Sequence, residues 1–193
     1  MKAQRLYLQR FTDRLPICAP WLCSHSSSAI RTDIFVIDPA WDAELSRIGA
    51  LIHRCAATTL DRCGAGFGQL RFTVLLGDDA MNLQLHRRAW GYPDKAAMLC
   101  FAEFPRRSIL NRRRITSLGV VALAHEELQR EADKRAISID RRVGRAVIEG
   151  SLVLLDHPDG PARSELAMAI EMDVGFGSDD PSCSLTGPGF EAA

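Results

Sequence analysis

The side chains best suited to chemistry cluster around the end of one apolar stretch. Residues 138 to 159 read SIDRRVGRAVIEGSLVLLDHPD. Ala146 to Leu155 is almost wholly apolar, Glu149 lies inside that run, and Asp156, His157 and Asp159 follow it. A carboxylate in a core helix is costly unless it is paired or ligates a metal. Arg145 stands one turn before Glu149, so an ion pair on a helix edge accounts for it. Glu149 with the imidazole of His157 would also make part of a metal or catalytic site. Spacing alone leaves both readings open.

Two further groups have chemical potential. Arg106, Arg107, Arg112, Arg113 and Arg114 lie in PRRSILNRRR, residues 105 to 114, with no acid among them. Guanidinium forks match phosphate oxygens, so this segment suits RNA, and a solvated loop between two strands is the plainer reading. Cys18, Cys23 and His25 offer part of a zinc site without an evident fourth ligand.

These groups must be positioned by a small set of elements. Ser138 suits an N-cap and Asp140 the positive end of a helix dipole, while Pro158 and Gly160 stop the helix between them. An apolar surface all round makes it a buried helix. Upstream, Asp33–Ile37 reads as a strand, and Trp41, Leu45, Ile48, Ile52 and Cys55 recur at helical spacing to about residue 62. His53 and Arg54 fall beside that stripe and are expected in solvent. Leu70–Leu76 is a strand, and Asp78 or Asp79 caps a helix with Met81, Leu85 and Ala89 inward. Met98–Phe104 and Ile115–Ala124 are strands, and His125–Arg135 and Pro161–Met172 are helices. This order implies an α/β (α+β) domain over residues 31–174, with a single mixed sheet of about four strands covered by helices. Residues 1–30, rich in Arg and Ser with Asp13 as their one acid, read as a poorly ordered extension, and 175–193 as a disordered tail.

Composition narrows the function classes. Lys and Arg number 24 against 24 Asp and Glu, so net charge calls for no polyanionic partner and only local clusters would. The six cysteines form no C-x-x-C, which favours reduced thiols and a cytoplasmic location. No apolar run approaches the ~20 residues that span a bilayer, so no membrane role is expected. Gly64, Gly66 and Gly68 lack the spacing of a dinucleotide loop and read as a turn.

Glu149-Gly150-Ser151-Leu152-Val153, then Leu154-Leu155, then Asp156-His157, is similar to the signature of the YbeY family, the bacterial metal-dependent ribonucleases of rRNA maturation. That signature runs His-Gly-x-x-His, Leu-Leu-Gly-Tyr, Asp-His. The Gly, both Leu and the Asp-His match. Glu149 and Val153 replace two histidines, and the Gly-Tyr pair is missing. A second block, Leu75–Phe101, aligns without gaps to a family block of the type LLTDDEEIRELNREYRGKDKPTDVLSF, matching at Asp78, Asp79, Leu85, Arg87, Gly91, Leu99 and Phe101. His86 and Trp90 stand where the family has Asn and an arginine held to be catalytic. Ser117–Val121 resembles the family's Leu-Gly-Asp-Ile-Val, with Val120 at the Asp.

The resemblance implies the YbeY fold, a zinc cofactor held at Glu149 and His157 with Val153 at the third ligand position, and rRNA or ribosomal proteins as partners. The replaced ligands and Trp90 imply an endoribonuclease activity weakened or lost, the chain being a ribosome-associated pseudoenzyme in rRNA processing. Two alternatives stand beside it. One is an active endoribonuclease with a rewired Glu149/His157 site aided by Asp156 or His86. The other is a non-enzymatic binding module on the same scaffold.

Overall fold

Alternation along the strands decides the layering. In Leu70–Gly77, Leu70, Phe72, Val74 and Leu76 join one apolar cluster, and Leu75 joins a second. A strand that is apolar on both faces must be covered on both. The structure, a computed structural model, describes residues 21–26, 30–64, 70–102 and 116–176. Its strands are β1 (Trp21–Ser26), β2 (Ile30–Val36), β3 (Leu70–Gly77), β4 (Met98–Ala102) and β5 (Thr116–Ala124), in the sheet order β1-β2-β3-β5-β4. The inner strands β2, β3 and β5 run parallel, and β1 and β4 close the edges antiparallel. The expected single mixed sheet is present. Among the described residues it has five strands, because Trp21–Ser26, inside the stretch read as an extension, pairs with β2 from Trp21↔Val36 to Ser26↔Arg31. That pairing satisfies an edge of β2 that would otherwise be open.

Among the described residues, five helices connect and cover the sheet: α1 (Leu45–Arg62), α2 (Asp79–Trp90), α3 (His125–Lys134), α4 (Ile139–Leu154) and α5 (Pro161–Val174). The larger cluster takes Ile48, Ile52 and Cys55 from α1, Val147, Ile148 and Leu152 from α4, and Ile170 from α5. Met81 and Leu85 of α2 cover the other face over Leu75, Leu99, Phe101 and Ala122. The apolar stripe expected to begin an α-helix at Trp41 starts instead as a 3-10 turn, Pro39–Glu44. The tight turn carries Trp41 into the core, where its Nε1 donates to the Gly77 carbonyl at 3.1 Å and its ring meets His125 edge-on. His53 is a second departure. Its ring nitrogen Nδ1 lies 3.0 Å from the Thr32 hydroxyl, and that threonine is fully buried, so the partly buried histidine also satisfies a core hydroxyl.

The glycines of the matching blocks are geometric requirements. Arg71 pairs with Ser117 and Phe72 with Gly119, so Leu118 is an extra residue in β5. This bulge turns Leu118 to the same side as Val121 and Leu123. Gly119 sits at φ 138°, and a Cβ there would come within 2.3 Å of the Phe101 carbonyl oxygen. Gly150 lets α4 approach the sheet, since a Cβ would meet Val121 at 2.8 Å and Met98 at 3.1 Å.

Capping at the ends of α3 and α4 uses residues without glycine's freedom. Ala136 N–H donates to Asp133 and Ile137 N–H to Ala132, and Asp156 N–H donates to Val153 and His157 N–H to Leu152. These are two Schellman endings, which want a left-handed residue. Ala136 holds φ 51° and Asp156 φ 61° in that place. Ala136→Gly is therefore expected to stabilise the protein by about 1 kcal/mol, read as a Tm rise of roughly 2–4 °C. Asp156→Val should lose about 1–2 kcal/mol in the same melting series, because a β-branched residue resists that conformation more than Asp does. Gly119→Ala is expected to cost about 2 kcal/mol or more in denaturant titration.

Candidate functional site

The helix that carries the resemblance is held from several sides. Ser138 caps α4, its hydroxyl accepting from Arg141 N–H at 3.2 Å. Arg47 of α1 pairs with Asp140, and Arg142, itself buried, pairs with Glu131 of α3 at 2.5 Å. One turn on, Arg145 Nε donates to Glu149 Oε1 at 3.0 Å and lies 3.3 Å from Glu171 Oε1 of α5, a contact not aligned for a hydrogen bond. Burial alone would lower the Arg145 pKa. The hydrogen bond to Glu149 and the charge of Glu171 more than offset it, and the guanidinium is held above its usual range. Glu149 is not sealed in the core, because about a third of its side chain stays exposed. It lies on the edge of α4 as half of an ion pair.

Beyond Glu149 the ligand positions thin out. Val153, partly buried, has no lone pair to offer. The helix ends at Leu154, and the Schellman ending swings His157 past Asp156. Asp159 lies beside Arg163 at 2.5 Å. Among the described residues, no three His, Cys, Asp or Glu side chains come together as a group able to hold a metal ion. The donors around Glu149 and His157 therefore do not make the three-ligand set that a hydrolytic zinc requires.

The second block builds a different kind of surface. His86 and Trp90 are four apart on α2 and meet on one face, with ring centroids 4.6 Å apart. Gly91 ends the helix in the left-handed region, its N–H donating to Arg87 at 2.8 Å, and the chain folds back. His86 Nδ1 then donates to the Tyr92 carbonyl at 2.9 Å, bringing the Tyr92 ring to 5.0 Å from the imidazole. The Asn82 amide holds the returning loop through the Ala96 carbonyl at 2.8 Å. Trp90 leans on Phe101 of β4 at 5.8 Å. Leu99 and Phe101 face α2, whereas Met98 and Cys100 face the cluster that holds α4. The edge strand β4 thus places Trp90 and the Glu149 helix against opposite faces of the sheet.

The structure brings His86 together with Trp90 and Glu149 together with Arg145. Arg106, Arg107, Arg112, Arg113 and Arg114, and Cys18 of the Cys18–Cys23–His25 group, lie outside the described residues. Burial pushes the thiols of Cys55 and Cys100 up to about 12, which leaves neither a nucleophile at neutral pH. Sequence reasoning did not find the ring cluster. The signal was available in two aromatic rings at i and i+4, followed by a helix-ending glycine and a further ring.

No protein-family profile matches the chain. It is similar to Endoribonuclease YbeY of Nitrobacter winogradskyi, 29% identical over 154 residues covering 78% of this chain and 80% of that protein. It is also similar to Endoribonuclease YbeY of a Bradyrhizobium species, 28% identical over 161 residues covering 78% and 90%. The protein of the same name from Bradyrhizobium diazoefficiens is 24% identical over 160 residues, covering 81% and 87%. The fold is shared with the solution structure of a Thermotoga maritima protein, at a TM-score of 0.50 and 14% identity over 84% of this chain and 99% of that one. Among the described residues, no helix is long and apolar enough to cross a membrane. Matched across some four fifths of its length, with its motif glycines placed where the fold requires them, the chain is similar to the YbeY endoribonucleases as a divergent relative.

Proposed function

We propose that this protein is an RNA-binding, ribosome-associated factor of rRNA maturation in which the metal-dependent endoribonuclease step of its relatives is weakened or lost. One observation carries the reading: Glu149, at a family ligand position, is committed to Arg145, and Val153 occupies the next ligand position. A hydrolytic metal requires about three protein ligands and an open position for water. Glu149 and His157 supply at most two. Trp90, in the place of an arginine, offers no positive charge to a developing phosphate dianion. The retained role in RNA binding is supported by the relatives' name, Endoribonuclease YbeY, and by the cation-rich sequence of residues 105 to 114.

In this reading Glu149 has exchanged a ligand's task for a place in the Arg145 clasp. Arg145 also neutralises Glu171, which is almost fully buried. Removing the arginine leaves that carboxylate in the core without its cation, so Arg145→Met is expected to lower stability by about 2 kcal/mol or more in urea titration. Glu149→Ala, which removes only a partner about one third exposed, should cost less than about 1 kcal/mol.

Elemental analysis of the purified protein, beside a Glu149→Ala/His157→Ala double variant, tests the function directly. Both proteins are expected to hold well below one equivalent of zinc and to leave ribosomal RNA uncut, with RNA binding unchanged by a chelator. Near-stoichiometric zinc in the wild type that the double variant loses, together with metal-dependent cleavage, would replace this reading with the rewired Glu149/His157 enzyme.

A further inference from the structure

The rings at the end of α2 are more exposed than the fold requires. Trp90 keeps 45% of its surface exposed and Tyr92 58%. Aromatic area left in water forgoes the free energy of burial, and a fixed cluster of it marks an interaction site. The cluster is held in place by Gly91, whose N–H caps Arg87, by the His86–Tyr92 hydrogen bond, by Asn82 on the loop and by Phe101 beneath Trp90. Its rings therefore present a preformed surface and require little ordering on binding.

The rim chooses between partners. Arg87 and Lys95 are exposed in the same segment as the rings, where Asp94 is the carboxylate among the described residues 86 to 95. The acidic residues of α2, Asp78 and Asp79, stand at its other end, about 18 Å away for a helix of this length. Asp79 is moreover occupied, accepting from Glu127 N–H at 3.1 Å and pairing with Arg130. Flat rings beside cations match an unpaired nucleobase, which stacks on a ring face while its phosphates meet the positive charges. An apolar peptide would use the rings and leave the cations unmatched.

We infer that His86, Trp90 and Tyr92 form a stacking platform for an unpaired base of single-stranded RNA, with Arg87 and Lys95 at the flanking phosphates. This rests on the RNA-binding reading above and assigns it a surface. Bases inside a duplex are already stacked on each other, so the platform favours single strands over helices.

Fluorescence anisotropy of a labelled oligouridine and of a labelled RNA duplex, titrated with the full chain at fixed salt, tests the assignment. The wild type is expected to bind the single strand more tightly than the duplex. Trp90→Ala should weaken single-strand binding about tenfold and Tyr92→Ala several-fold, whereas Trp90→Phe, which keeps a ring face, stays within about threefold. Arg87→Gln should flatten the salt dependence by roughly 0.7 in the logarithmic slope, the loss of one phosphate contact. Matching melting curves identify these as losses of contact rather than of fold. If the wild type binds and Trp90→Ala and Tyr92→Ala bind equally well, the platform is overturned while the RNA-binding reading stands. Equal affinity for single strand and duplex, unmoved by Trp90→Ala, overturns it in the same way. If the wild type binds neither RNA, the platform and the reading beneath it both fall.

Discussion

The close seating of α4 on the sheet is the constraint on which the rest of the molecule depends. At Gly150 there is no room for a Cβ between the helix and Val121 of β5. That approach lets Val147, Ile148 and Leu152 reach the same apolar layer as Phe72, Val74 and Leu123. Interiors packed at this density transmit small displacements, so the position of α4 in turn sets where α1, α3 and α5 rest against it. The charged pairs of α4 follow from the same placement. Arg47–Asp140, Arg142–Glu131 and Arg145–Glu171 each tie α4 to a different neighbour.

The consequence for chemistry lies at the C-terminal end of that helix. A family helix that would present histidines here presents Glu149 and Val153, and its carboxylate turns toward Arg145 on its own helix. The missing Gly-Tyr pair shortens the exit, so Asp156 takes the left-handed position that closes the helix and His157 follows at once. Backbone hydrogen bonding at the helix end directs where His157 goes. What remains is a firmly held scaffold whose polar groups are engaged with one another.

On the other face of the sheet, β4 supports a different surface. The alternation of Leu99 and Phe101 against Met98 and Cys100 separates the two motif blocks across one edge strand. Replacing an arginine by Trp90 and an asparagine by His86 exchanges charge and hydrogen bonding for ring area. The left-handed Gly91 then brings Tyr92 back onto the imidazole. The chain thus carries an aromatic face on the side of the sheet opposite α4.

By itself the sequence determined the class of fold, because its signals are local. Period-two alternation in Leu70–Leu76, the helical stripe from Leu45 to Cys55, and the Asp78 and Ser138 caps all act within a few residues, and each is found where expected. It also exposed the divergence, since Val153 and Trp90 lack the needed atoms in any conformation. Only tertiary structure could decide the rest, which depends on partners distant along the chain. Trp21–Ser26 is a strand because β2 offers it an edge, and Trp41 takes a 3-10 turn because Gly77 and His125 receive its ring. His53 reaches a buried hydroxyl of β2. Glu149 had two local readings, a ligand or an ion pair, and spacing favoured the ion pair. The placement of Arg145 between it and the buried Glu171 of another helix is what commits the carboxylate to a cation of its own chain.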